Sequence, residues 1–182
     1  ALGLAAGLAV RRALVGAGIG GVMLKWPNDL VHGDRKLGGV LAELRAESQG
    51  PAFVVVGAGV NWQIPRVLRD GIAQDGGLAV TDVTELCAAA GVDRPARTSV
   101  AAAMVAGFGG LLAGYETTGF QGWRDEWGEA DALVGRPVRV AAGEGGLAGT
   151  ARGVDRDGAL LVETPGGRQR VLAGDVSVRP AP

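Results

Sequence analysis

Of the 18 basic residues, 16 are arginine, and the two lysines, Lys25 and Lys36, fall within one twelve-residue stretch. A chain this rich in Arg, Ala and Gly uses arginine wherever any surface cation will serve. Lysine persists where a compact, rotatable ammonium is needed and a planar guanidinium cannot replace it. Such a group can stand between two anions, offset their repulsion and stabilise charge that grows in a transition state. Between the lysines lies Asp29, at the end of Trp26-Pro27-Asn28-Asp29, a carboxylate suited to proton transfer or metal binding. Gly39, Gly57 and Gly59 interrupt apolar runs, where a missing side chain lets a ligand approach the backbone. Asn61 ends the second run. Each residue also has a plainer reading: Lys36 as a solvated hairpin lysine, Lys25 as a strand-end partner for Asp29, Asp29 and Asn28 as turn formers, Asn61 as a strand-end amide. His32 is the sole histidine and Cys87 the sole cysteine. Histidine-based triads, zinc sites and a disulfide framework are thereby set aside.

The elements that must position these groups follow from periodicity. Leu2, Leu4, Ala5, Leu8, Ala9 and Ala13 share a helical face, and the Gly16–Gly21 cluster ends that helix. Val22 to Trp26 reads as a strand, Leu30 to His32 as a second, and Lys36 to Arg45 as its hairpin partner, with His32 in the turn and assigned to the surface. Phe53 to Val56 is continuously apolar, as expected of a strand buried on both faces, and Gly57 to Asn61 extends it. Gln63 to Ala79 has no clear period and reads as a mobile loop with at most one helical turn. Thr81 is the expected cap of a helix to Ala90, and Thr98 or Ser99 that of a longer one bearing Met104, Phe108, Leu111 and Tyr115 on one face. Gly107, Gly109, Gly110 and Gly114 each cost this helix about 1 kcal/mol relative to Ala, so packing must hold it. From Pro137 the style changes to five short strands, with turns at Gly143–Gly146, Asp155–Gly158 and Pro165–Gly167. That pattern describes a small SH3-like barrel.

Hydrophobic content of 47% supports a packed core, and the net charge of −1 offers no basic face for nucleic acid. No uninterrupted apolar run reaches the roughly 18 residues of a membrane span. Ala1 to Val15 lacks the basic lead of a signal peptide and reads as a helix entered part-way. The lone cysteine fits a reducing cytoplasm.

Lys25-Trp26-Pro27-Asn28-Asp29, followed by Lys36-Leu37-Gly38-Gly39-Val40-Leu41-Ala42-Glu43, closely resembles the KWPND…KxxGxLxE signature of biotin–protein ligases. Gly57-Ala58-Gly59-Val60-Asn61 matches that family's GxGxN strand. Gly135-Arg136-Pro137-Val138 and Gly153 to Leu161 resemble its C-terminal barrel. The resemblance implies an α+β fold: a mixed sheet with helices packed on it over residues 1–133, then an SH3-like barrel over 134–182.

It further implies an enzyme that joins biotin and ATP into biotinyl-5′-AMP and transfers the acyl group to a lysine of a biotin carboxyl carrier domain. On this basis Lys36 and Asp29 are catalytic. Lys36, Gly39 and Gly57 bind biotin, and Asn61 and Asp29 face ATP and a Mg²⁺ ion. Trp26 and Trp62 read as wall or core rather than stacking platforms. A homodimer is compatible with the family and not specified by the sequence. The family's GRGRxGR-type loop and the strands carrying its Gln and Ser/Thr contacts to biotin are expected upstream of Ala1, so residues 1–182 alone are expected to be inactive. The adenine-covering segment, near Gln63 to Leu78, does not align. Two other readings stay open: a lipoate–protein ligase relative, and a non-catalytic carrier-binding fragment.

Overall fold

A computed structural model describes residues 1–46, 52–74, 79–142, 146–173 and 176–180. The first helix, α1 (Leu2–Gly16), is buried along most of its length. It is followed by four strands: β1 (Val22–Lys25), β2 (Asp29–His32), β3 (Arg35–Ala46) and β4 (Ala52–Val60). These strands form a sheet in sequential order, and every ladder is antiparallel. Among the described residues, parallel pairing is confined to two single bridges, Leu24 with Asp131 and Lys36 with Val80. Helix α1 crosses one face closely because its glycines allow it: a Cβ on Gly7 would lie 3.4 Å from Leu24 Cδ2, and one on Gly3 would lie 3.9 Å from Ala42 Cβ.

Three further helices, α2 (Arg66–Gln74), α3 (Val83–Ala90) and α4 (Arg97–Thr118), lead through a 3₁₀ turn (Gly119–Trp123) into α5 (Arg124–Ala130). Met104, Phe108, Leu111 and Tyr115 do pack on the core from one face of α4. Gly107 explains part of the helix's glycine content, since its Cβ would stand only 3.3 Å from Ala9 Cβ of α1. By length and composition alone, the segment Arg97–Ala130 would pass for a membrane span. Its apolar character comes from Ala, Val, Leu, Met and Phe; one face packs against α1, while Val105 and Leu112 are exposed.

Several sequence expectations change. Residues 66–74 form α2 in place of a loop; Pro65 starts it, its carbonyl accepting from the Leu68 and Arg69 N–H groups. Residues 75–78 of the expected loop lie outside the described residues. Asp82, not Thr81, caps α3, accepting from the Glu85 N–H at 2.8 Å. Helix α4 begins at Arg97 with Ala96 as an N-cap that makes no side-chain bond, so neither Thr98 nor Ser99 serves. His32 ends β2 rather than sitting in the turn, and its ring stands where a Gly21 Cβ would be. Strand β4 is not buried on both faces: Phe53 and Val55, with Leu41 beside them on β3, are 58%, 54% and 58% exposed.

The second sheet contains β5 (Pro137–Ala142), β6 (Leu147–Val154), β7 (Leu160–Thr164), β8 (Gly167–Val171) and β9 (Val176–Pro180), ordered β8-β7-β6-β5-β9. Among the described residues no ladder closes β8 onto β9. The apolar core runs from the first sheet into this one without a break. Trp26, fully buried as core, donates its indole N–H to the Gly158 carbonyl at 3.0 Å.

Asp131 joins the two halves. It bridges to Leu24, and its Oδ1 accepts from the Leu133 N–H at 2.8 Å. Its buried Oδ2 has no hydrogen-bond partner. Burial pushes its carboxyl up to about 6, against the opposing pull of backbone N–H groups. The folded state therefore holds a proton that the unfolded chain releases near pH 4. The stability cost is absent below about pH 4, grows as pH rises, and is complete above about pH 6. Two pKa units correspond to roughly 2–3 kcal/mol. Relative to Asp131→Asn, the parent should lose about that much stability between pH 4 and pH 7. Urea unfolding of both proteins across this range measures it, and a constant difference would disprove the assignment.

Candidate active site

The sheet registers set the site out as a row. Lys25 pairs with Asp29, Asp29 with Gly39, and Gly39 with Gly59. Directly paired residues in antiparallel strands share a face, so these four lie side by side across all four strands. Leu41 and Gly57 form the next row. This face is opposite the one that α1 covers.

Lys36 reaches the same face through an irregularity. It lies three positions before Gly39, which in a regular strand puts the two on opposite sides. The β2–β3 register slips between Leu30 and Val31, so that Val31 pairs with Lys36 while Leu30 pairs with Gly38. The extra residue, Leu37, is absorbed as a bulge, which re-aims the side chain before it. Lys36 Nζ then sits 2.5 Å from Asp29 Oδ1, and Lys25 Nζ donates to Asp29 Oδ2 at 3.3 Å. Asp29 is thus an inward-facing member of β2, not a turn former. Both lysines share its buried carboxylate, and of the two only Lys36 is open to solvent, with 39% of its side chain exposed.

Beyond the ion pairs the row is bare. A side chain on Gly59 would meet nothing within 4 Å, and one on Gly57 only the Leu41 carbonyl oxygen at 4.0 Å. Leu41 and Val55 flank this backbone floor with exposed apolar surface. On the other side, the linker into the second sheet covers the same face. Val31, Lys25, Lys36, Ala132, Leu133 and Arg136 enclose a cavity of about 20 Å³, and Arg136 pairs with Asp34 at 2.7 Å.

Gly38 escaped the sequence reading as a site residue. A Cβ there would fall 2.3 Å from the Gly59 carbonyl oxygen, so the bulge that aims Lys36 requires glycine at this position. Two consecutive glycines inside an otherwise regular strand were the available signal. Asn61 is close to the site but differently engaged: its amide donates to the carbonyls of Lys36 at 3.2 Å and Thr81 at 3.1 Å. Trp62 is half-buried and packs against the core, as its reading as wall or core expects, and the Arg97 guanidinium lies 5.6 Å from its ring centroid.

Two family models match the chain: the biotin/lipoate A/B protein ligase family over residues 3–61, and the biotin protein ligase C terminal domain over residues 133–179. Over 176 residues the chain is 31% identical to a biotin–acetyl-CoA-carboxylase ligase of Paracoccus denitrificans, covering 97% of this chain and 67% of that protein. The chain belongs to the biotin protein ligase family. It is also 32% identical over 180 residues to the bifunctional ligase/repressor BirA of Escherichia coli, covering 99% of this chain and 53% of BirA. It therefore spans about half the length of that relative. Among solved structures, the biotin protein ligase of Aquifex aeolicus in complex with biotin and ATP superposes with a TM-score of 0.79 at 26% identity, covering 99% of this chain and 71% of that one. The fold is the biotin ligase fold, with helices on antiparallel sheets and an SH3-like C-terminal domain.

The glycines of this ligase-family site divide into two kinds. Gly38→Ala forces a backbone collision that no side-chain rotation relieves, and it should lower stability by about 1–3 kcal/mol or more. Gly59→Ala adds a methyl to open space and should leave the melting temperature within about 2 °C of the parent. Thermal unfolding of the two variants checks this contrast; equal losses would refute the bulge requirement.

Proposed function

We propose that this site activates biotin as biotinyl-5′-AMP within a biotin–protein ligase, and passes the acyl group to a lysine of a biotin carboxyl carrier domain. The observation that carries the reading is Lys36, turned by a bulge onto the face where Gly59 and Gly57 leave bare backbone, with Gly39 between them and Lys36 making room for the Asn28 carbonyl, 3.3 Å from where its Cβ would lie. The floor suits a flat, partly apolar ring system lying close to the strands, with Leu41 and Val55 beside it. A carboxylate carried at the end of such a ligand would meet Lys36 at the edge of the floor.

The chemistry requires two anions to meet. A biotin carboxylate oxygen attacks the α-phosphorus of ATP, the bond to the β-phosphate oxygen breaks, and pyrophosphate leaves. Lys36 Nζ offsets the repulsion and stabilises charge on the phosphoryl oxygens as it grows. Asp29 keeps that ammonium aimed at the floor, while Lys25 neutralises the carboxylate's other oxygen. In the second step the carrier lysine's amine attacks the acyl carbon and AMP departs; on this reading Asp29, beside Lys36, takes the amine's proton as Lys36 turns to the phosphate. Asn61 contributes by holding the Lys36 carbonyl.

A Mg²⁺ ion brought in with ATP would be held mainly by the nucleotide's phosphates, with few ligands from the protein. Both Asp29 oxygens are engaged by lysines, the Asn61 amide faces carbonyls, and among the described residues no group of three His, Cys, Asp or Glu side chains converges. Biotin is preferred over lipoate because residues 133–179 match the C-terminal domain of biotin protein ligases. A reducing, cytoplasmic setting accords with Cys87, which is buried and unpaired.

The test is ATP–pyrophosphate exchange by the full-length protein, driven by biotin or by lipoate. Lys36→Ala should reduce biotin-driven exchange by on the order of 10²–10³, the usual cost of one preorganised electrostatic donor. Lys36→Arg should not restore it, because a planar fork cannot occupy the place of a point charge. Exchange at the parent rate by Lys36→Arg, or exchange driven by lipoate alone, would overturn the proposal.

A further inference from the structure

Lys36 is held from behind as firmly as from in front. Its N–H donates to the Ala79 carbonyl at 2.7 Å, and its carbonyl accepts from the Thr81 N–H at 2.9 Å. This pairing matters because the bulge has disturbed the ladder on the other side of β3. The segment 79–81 that supplies the bonds runs directly into Asp82, the buried N-cap of α3.

Asp82 divides its two oxygens. Oδ1 caps the Glu85 N–H, and Oδ2 accepts from the Ile64 N–H at 2.7 Å and from the Arg69 guanidinium of α2. Arg69 also pairs with Glu85, whose other oxygen takes Arg35. Arg35 is the residue immediately before Lys36. The contacts therefore close a ring: Lys36 to segment 79–81, to Asp82, to Arg69, to Glu85, to Arg35, and back to Lys36 along the backbone. Two arginines alternate with two carboxylates, and the Asp82 side chain is only 1% exposed. Breaking one link leaves a buried charge without its counter-charge, which is far costlier than losing an exposed pair. The hydrogen bond from Arg35, followed by that from Arg69, holds the Glu85 carboxyl below its ordinary range against the effect of burial.

We infer that Arg69 is a positioning residue for Lys36. By tying Asp82 to Glu85 it fixes segment 79–81 against the Lys36 backbone and clamps Arg35 in place. The ammonium then meets its anions from a rigid base, where a displacement of about 1 Å is costly. The inference rests on the reading of Lys36 as the group that meets carboxylate and phosphate. It assigns to α2 a task in aiming the lysine, beyond packing on α3.

The experiment is a double-mutant cycle in the full-length protein, read by biotin-driven ATP–pyrophosphate exchange. Arg69→Met keeps the apolar stem and removes the charge. It should lower kcat on the order of 10-fold in the Lys36 parent, and less than about 2-fold in a Lys36→Ala background, because the lost alignment no longer matters there. Equal fold-losses in the two backgrounds would show that Arg69 only staples α2 to α3, and no loss in the parent would likewise overturn the inference. Amide hydrogen exchange on the substrate-free protein supplies a second readout. Peptides covering 35–37 and 79–83 should exchange ~10-fold faster in Arg69→Met, while those of β6 and β7 stay unchanged. Unchanged protection at 35–37 would overturn the inference. If the parent shows no biotin-driven exchange, the catalytic reading of Lys36 fails, and the protection data alone decide whether Arg69 holds its backbone. Should Arg69→Met not fold, Arg35→Met cuts the ring on the other side of Glu85 and enters the same measurements.

Discussion

A strand alternates its side chains between two faces, and in a regular β3 Lys36 and Gly39 would look in opposite directions. The one-residue slip between Leu30 and Val31 puts them on the same face. The rest of the site depends on that slip. It places the Lys36 ammonium against Asp29, at the edge of backbone that Gly59 and Gly57 leave uncovered. On the opposite side of β3 the ladder with β4 stops at Gly38 and Val60, and segment 79–81 and Asn61 take up the Lys36 backbone there. Only Gly38 fits where the strands close up after the bulge, since any Cβ would collide with the Gly59 carbonyl.

The electrostatics follow from the same constraint. Burying Asp29 alone would be costly, and two lysines answer it from opposite sides. Lys25 is buried with it, whereas Lys36 keeps part of its side chain in solvent. The pair thus separates a structural counter-charge from an available one. The arginines behave differently. Behind the strand, Arg69 spreads its planar fork over two carboxylates, Glu85 and Asp82, and Arg35 takes the other Glu85 oxygen through one nitrogen. The compositional preference for arginine gives way at the two positions where ammonium groups flank the buried Asp29.

The two sheets share more than a linker. Trp26, one residue past Lys25, is buried against Gly158 in the turn between β6 and β7, and Ala132, Leu133 and Arg136 line a cavity beside Lys25 and Lys36. The C-terminal domain therefore forms part of the environment of the site. The open side is the other one, where Leu41, Phe53 and Val55 stand exposed along β3 and β4.

Much of this was legible in the chain itself. The rarity of lysine marked Lys25 and Lys36, and the Lys25–Asp29 and Lys36–Glu43 motifs with Gly57–Asn61 pointed to the family. Alternating or continuous apolar runs separated by Gly, Asp and Pro turns marked out the strands of the described residues to within a few positions. These are local signals, carried by residue type and spacing. The ring through Arg35, Glu85, Arg69 and Asp82 was not legible, because its members lie up to 50 positions apart and no periodicity links them. Helix α2 was missed because Pro, Gly and Asp blur its pattern, and its anchoring is tertiary, through Arg69. The continuous apolar run in β4 suggested burial on both faces, yet hydrophobicity cannot tell a covered face from one that a ligand or another segment must cover. Likewise Gly38-Gly39 announced some irregularity, but its hand and register depend on the pairing with β2. Residue type decided which groups are available for chemistry; only the packing of strand on strand decided which way Lys36 points.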